Sequence, residues 1–119
     1  NKPLVLLDAA HNEDGIRGLF VALEDYEFDK VHIVFGIVND KASEKLLSLL
    51  PTKARYYFCR PNIPRGKDQL QLRTEALEFN LKGRAYVSCN NALKAAKRAA
   101  RSNDLILGTG SSFVVAELV

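Results

Sequence analysis

The chain alternates short, β-branched apolar runs with longer stretches of helical period, repeating the pair about four and a half times. Leu4 to Leu7 is a continuous apolar run, as a strand covered on both faces requires. Asn12, followed by Glu13 and Asp14, reads as a helix start with acids in the first turn, and Ile16, Leu19, Phe20 and Leu23 form one apolar stripe behind it. A second strand is expected over 31–37, interrupted by His32, which suits a satisfied core or edge histidine better than a ligand. Asp40 or Ser43 can cap the next helix, Leu46, Leu47 and Leu50 face inward, and Pro51 stops it. Arg55–Cys59 is a third strand, and residues 60–68 a loop with two prolines and a glycine. A helix over 69–79 follows, with Leu70 and Leu77 inward. Gly83 punctuates, 85–88 is a weaker strand, and Asn90 or Asn91 caps an alanine-rich helix over 92–101. Residues 104–107 form a fifth strand, ending in the turn 108–112, after which 113–119 is expected to be helical. Repeated β-α units mean parallel strands, right-handed crossovers and helices on both faces, which is a three-layer, Rossmann-like α/β fold.

Composition narrows the class. One domain fits 119 residues that are 47% apolar and 26% charged. Seventeen Lys and Arg against 14 Asp and Glu leave a net charge of +3, too small and too weakly clustered to argue for nucleic acid. Cys59 and Cys89 each end an apolar run and stand at no metal or redox spacing, so they read as small buried hydrophobes. No apolar segment reaches the roughly 18 to 20 residues of a membrane span, and the cytoplasm is the expected compartment. The chain opens on Asn-Lys-Pro and stops in mid-pattern on Glu117-Leu118-Val119, so it is expected to be a fragment of something longer.

Ligands in an open parallel sheet collect at the carboxyl ends of strands, near the point where strand order reverses. Asp8, His11 and Asn12 fall in one such loop, Asp40 and Lys41 in another, Arg65 in a third and Ser111 in a fourth. At a strand-to-helix turn a carboxylate accepts from hydroxyls, an imidazole donates or accepts, and backbone N–H groups point outward. Asp8 and Asn12 serve equally well as turn caps beside an exposed His11. The Gly108-Thr109-Gly110-Ser111-Ser112 turn suits a carboxylate or phosphate, although it is neither a Walker A loop nor a G-x-G-x-x-G fingerprint. One His and one Asp do not make a metal site, and no Ser-His-Asp arrangement is present.

Taken together, these motifs resemble those of a known family. Asp8-Ala-Ala-His11-Asn12 resembles the D-x-A-H-N-P signature that opens the carboxy-terminal domain of the Mur ligase superfamily, in its folylpolyglutamate synthase/dihydrofolate synthase branch. Phe35-Gly36 through Asp40-Lys41 resembles that branch's F-G-x-x-x-D-K segment, Asn62-Ile63-Pro64-Arg65 its P-R loop, and Gly108 to Glu117 its T-G-S-L-Y-x-V-G-E ending. There are departures: Glu13 stands where proline is usual, Ala42 where an acid is usual, and Ser112-Phe113 where Leu-Tyr is usual. The cell-wall branch carries D-D-Y-A-H-N-P, and this chain has neither the second acid nor the tyrosine. A cell-wall amino-acid ligase domain is therefore the second choice, and a non-catalytic α/β binding module the third.

The resemblance implies a sheet order of 1-5-2-3-4 and a domain, over 1–119, of an ATP-dependent ligase that adds glutamate to folates through an acyl phosphate. ATP, glutamate and folate would be its small-molecule partners, and Mg²⁺ would be held by a central ATPase domain that this chain lacks. That central domain would itself be a partner on which this one closes, and the domain alone would be inactive. By motif position Asp8 is expected at the nucleotide, His11 where ATP meets the incoming glutamate, and Ser111 at the glutamate. His11 and Ser111 are thus the catalytic candidates; Asp8, His11, Asn12, Asp40, Lys41 and Arg65 are the nucleotide-binding ones.

Overall fold

The computed structural model describes residues 2–39 and 43–119. The elements run β1 (Leu4–Leu7), α1 (Glu13–Leu23), β2 (Val31–Phe35), α2 (Ser43–Leu49), β3 (Arg55–Cys59), α3 (Gln69–Leu77), β4 (Gly83–Tyr86), α4 (Cys89–Ala99), β5 (Leu105–Thr109) and α5 (Ser112–Leu118). Every strand pair is parallel and the sheet order is β1-β5-β2-β3-β4, as the resemblance implied. β5 lies between β1 and β2, pairing Leu105 to Gly108 with Leu4 to Leu7 on one side and Leu105 to Thr109 with Val31 to Phe35 on the other.

Strand parity makes two cores. Ile33, Phe35, Tyr56, Phe58, Leu105 and Leu107 face α1, α2 and α3. Val34, Tyr57, Cys59 and Ile106 face α4 and α5. Right-handed crossovers explain the division: three connections step one way across the sheet and share a face, whereas α4 carries the chain back and lies on the other. Ala92, Ala95 and Ala96 are buried in α4, where small side chains let the helix approach the sheet closely. Cys59 and Cys89 are buried free thiols; the hydrogen bond from Cys89, then burial, push the Cys59 thiol well above its usual pKa, so both behave as the hydrophobes expected.

Several boundaries differ from expectation, each for a local reason. β4 starts at Gly83 and ends at Tyr86, because Gly83 pairs beside Tyr56 and a side chain there would run into the Tyr56 carbonyl. α4 is capped by Ser88, whose hydroxyl accepts from the Asn91 N–H at 3.0 Å, in place of Asn90 or Asn91. In α3 the buried residues are Leu72 and Ala76, while Leu70 and Leu77 are exposed. Asp68 caps that helix by accepting from Leu70 and Gln71, while docking on the sheet decides the buried face that apolar spacing alone left ambiguous. β2 stops at Phe35, and β5 runs on through Gly108 and Thr109, shortening the turn after it. Asn12 caps α1 through a bond from Gly15 N–H at 2.8 Å, and the tail is helical from Ser112, as expected. Ser43 is the first residue of α2, and Asp40, its alternative cap, lies outside the described residues. Among the described residues no helix is long and apolar enough to cross a membrane.

His32 is satisfied within the sheet, as its setting suggested. Its Nε2 lies 2.9 Å from Asp104 Oδ2 and its Nδ1 lies 2.7 Å from Tyr57 Oη, all three groups being buried. An ionised carboxylate only accepts, so Nε2 donates to Asp104, while Nδ1 and the Tyr57 hydroxyl share the second bond. The Arg101 N–H donates to the same Asp104 oxygen at 2.9 Å. That bond, with help from His32 and against the effect of burial, lowers the Asp104 pKa below the ordinary 3.8. Since folding lowers this pKa, the stabilisation is complete above the ordinary value and is lost as pH falls through the lowered one. Urea midpoints between pH 5 and 2 should therefore fall less steeply in Asp104→Asn than in the wild type. Parallel curves would show that Asp104 contributes nothing to acid unfolding.

Candidate functional site

The strand order reverses at β5. The chain leaving β1 and β2 turns toward α1 and α2, whereas the chain leaving β5 turns toward α5, so a crevice opens at the carboxyl ends of these three strands. Backbone bonds fix its walls. The Asp8 N–H donates to Gly108 O at 2.9 Å, and Ala10 O accepts from the Gly110 N–H at 3.1 Å and from the Thr109 hydroxyl at 3.4 Å. Gly110 has φ +110, and a side chain there would run into the Gly36 carbonyl, so the turn between β5 and α5 needs glycine at this point. Thr109 is fully buried, and composition had placed it in an open turn.

This crevice holds a hollow of about 190 Å³ lined by His11, Ile37, Val38, Ser43, Leu46, Gly110, Ser111, Ser112 and Phe113. His11 and Ser111, 100 residues apart in sequence, therefore line the same hollow. His11 is exposed, with Nδ1 3.2 Å from Ala9 O. Ser111 is buried, and its hydroxyl accepts from the Phe113 N–H at 3.0 Å, capping α5. Asp8 and Arg65 are exposed and do not line the hollow; Asp8 Oδ1 accepts from the Ala10 N–H at 2.9 Å, which stiffens its own loop. Asn12 spends its side-chain oxygen on α1. Asp40 and Lys41 lie outside the described residues.

A clamp that sequence reasoning missed positions Arg65. Val38 and Gly66 form an antiparallel bridge, the Asn39 N–H donates to Arg65 O at 2.7 Å, and the Lys67 N–H donates to Ile37 O at 2.9 Å. The loop after β3 is thus laid along the loop after β2. Lys67 anchors it: its ammonium is buried and lies 2.5 Å from Glu75 Oε1 on α3. On the other flank Glu117 Oε2 accepts from the Asn62 N–H at 2.7 Å, tying the same loop to α5. Nothing in the spacing of Lys67 and Glu75 announces this pair, since it depends on how the loop folds back. Glu13, which stands where the resemblance has proline, lies 3.7 Å from Arg17 and 3.8 Å from Lys45 and so bridges α1 to α2 at the surface.

At 190 Å³ the hollow is smaller than the roughly 300 to 1,000 Å³ that encloses a ligand of nucleotide size. Its imidazole, small-residue turn and α5 start are groups that can face an anionic ligand. Among the described residues no three His, Cys, Asp or Glu side chains cluster as a metal requires. A larger cleft of about 950 Å³ lies at the opposite ends of the strands, so size does not mark this site; convergence of loops at the switch point does.

Known proteins share this fold and these motifs. Residues 1–112 match the family model for the Mur ligase glutamate ligase domain. The chain is 34% identical over 120 residues to a probable bifunctional folylpolyglutamate synthase/dihydropteroate synthase of Haloferax volcanii, covering 98% of this chain and 14% of that protein. It is 28% identical over 127 residues to the dihydrofolate synthase/folylpolyglutamate synthase of Buchnera aphidicola, covering all of this chain and 28% of that protein. Among solved structures, Escherichia coli FolC in complex with DHPP and ADP superposes with a TM-score of 0.84 at 28% identity, over 96% of this chain and 27% of that one. A bifunctional folylpolyglutamate synthase/dihydrofolate synthase with Mn, AMPPNP and L-glutamate bound gives 0.86 at 29% identity, over 98% and 28%. The chain thus spans less than a third of the length of each of these relatives.

The Lys67–Glu75 clamp is testable by a double-mutant cycle. Glu75→Gln leaves a buried ammonium without its counter-charge and should cost about 3 kcal/mol in urea unfolding, with faster proteolysis within 60–67. Lys67→Met/Glu75→Leu should recover most of that. A loss below about 0.5 kcal/mol in Glu75→Gln would place the pair with ordinary surface bridges.

Proposed function

Because the chain belongs to the Mur ligase family through its glutamate ligase domain, in the folylpolyglutamate synthase/dihydrofolate synthase branch, we propose that the protein carrying it is an ATP-dependent ligase joining glutamate to a folate carboxylate. That His11 and Ser111 line the same hollow at the β5 switch crevice carries this reading, because two motifs from opposite ends of the chain meet there. The γ-phosphoryl group of ATP passes to the folate carboxylate with release of ADP, and the amino group of glutamate then attacks the acyl carbon, expelling inorganic phosphate and losing a proton as the amide forms.

Each residue then has a task its setting permits. The exposed His11 imidazole presents a donor toward an anionic ligand entering the crevice. Ser111 uses its hydroxyl oxygen on Phe113 N–H, which leaves its O–H free to donate, and it holds the start of α5 where a carboxylate of glutamate would rest. Asp8, at the rim, accepts from a nucleotide hydroxyl while one oxygen keeps its own turn in shape. Arg65 offers a guanidinium from the clamped loop, and Asp40 and Lys41 belong to the adjoining loop in sequence. Asn12 acts by holding the start of α1. The domain supplies one wall and closes on a partner domain that completes the site; no metal step is assigned to its described residues.

Steady-state kinetics on the full-length protein test this. His11→Ala should lower kcat/KM for ATP- and glutamate-dependent ligation by about 10- to 100-fold, the loss of one bond to a charged group, with an unchanged melting temperature. Asp8→Asn preserves the bond to Ala10 N–H and removes only the charge, so it should raise KM for ATP without loosening the fold. Wild-type kinetics in both variants, or no folate-dependent ligation by the wild type, would refute the assignment.

A further inference from the structure

The cleft of about 950 Å³ lies at the amino ends of β2, β3 and β4, at the far end of the strands from the crevice. α4 ends at Ala99 above this region and leaves part of its face of the sheet uncovered. Six cations line the cleft from separate segments: Lys30 before β2, Lys53 and Arg55 at β3, Lys82 and Arg84 at β4, and Arg101 after α4. Their side chains have no ion-pair partner among the described residues. The carboxylates of the lining are Asp29, exposed at the edge, and Asp104, buried and already shared by His32 and the Arg101 N–H.

The arrangement is built into the sheet. Arg55 shares the parity of Tyr57, and Arg84 that of Tyr86, so both guanidinium stems stand on the face that α4 covers farther along. The register sets Tyr57 beside Arg84, making the two arginines diagonal neighbours on adjacent strands. Like charges so placed repel and weaken a sheet unless something offsets them. Tyr57 and Tyr86, with ring centroids 6.1 Å apart, floor the cleft behind them, and the Tyr57 hydroxyl is fixed by His32. A concave surface with a rigid aromatic floor and an unpaired cationic rim attracts clustered negative charge.

We propose that this cleft is a second binding site, for a small multivalent oxyanion whose charges are phosphates or carboxylates. Charges spread over four segments select several negative groups on one molecule over a lone monovalent ion. Guanidinium pairs suit both phosphate and carboxylate geometry. The site is independent of the ligase reading, because it shares no residue with the crevice.

Hydrogen-exchange mass spectrometry of the full-length protein provides a local readout that binding elsewhere does not disturb. Inorganic tripolyphosphate and γ-linked triglutamate are titrated separately at about 0.1 M NaCl, where exposed charges beyond a Debye length are screened. Either anion should slow exchange over 53–57 and 82–86 in the wild type, and whichever acts at lower concentration identifies the ligand chemistry. Arg55→Gln/Arg84→Gln should weaken that protection at least about tenfold in concentration, roughly 1.4 kcal/mol. Lys94→Gln, an exposed base of α4 outside the cleft, should not. Unchanged exchange over the rest of the domain certifies that the double variant is folded. No protection from either anion, or equal protection in the double variant, overturns the proposal.

Discussion

β5 takes its backbone hydrogen bonds from two strands that follow different courses, β1 on one side and β2 on the other, and everything near the crevice depends on that insertion. The strand is buried from Leu105 to Thr109 and feeds both cores, Leu105 and Leu107 to one face and Ile106 to the other. Because three crossovers must be right-handed in one direction and the return through α4 in the other, β5 ends where its neighbours' loops diverge. The opening there is a consequence of chain handedness, and the residues at its rim inherit their proximity from it.

The loops around that opening are held mainly by backbone, with side chains recruited as braces. Ala10 O accepts from Thr109 at the end of β5 and from Gly110 in the turn beyond, and the loops after β2 and β3 are zipped by bonds from the Asn39 and Lys67 N–H groups. Such bonds leave the exposed side chains of Asp8, His11 and Arg65 unencumbered by structural tasks beyond their own turns. A scaffold of this kind holds polar groups in fixed relation to one another yet still in contact with solvent. At the other end of the strands, cations on two adjacent strands have no ion-pair partner among the described residues.

Much of this was legible in the order of residues. The alternation of apolar runs with helical stretches dictated ten elements, and Asn12 and Pro51 announced boundaries through their own backbone chemistry. Loop membership was legible too, because polar residues cluster after strand ends. The inner face of α3 was not, since Leu70 and Leu77 make as regular a stripe as Leu72 and Ala76, and only the docking of the helix on the sheet chooses between them. Gly83 read as punctuation because its role is close approach to Tyr56 on another strand. The Tyr57–His32–Asp104 chain needed register across three strands, which no local pattern encodes.

By itself the sequence determined the class of fold, the covered nature of its strands and the loops in which polar chemistry resides, because these follow from local backbone preference and from the period of apolar residues. The tertiary structure decided which distant residues meet: His11 with Ser111, Lys67 with Glu75, His32 with Tyr57 and Asp104, and the arginines of β3 with those of β4. Those encounters depend on strand order and register. Both are set by burying two faces of one sheet at once, a condition satisfied only by the whole chain.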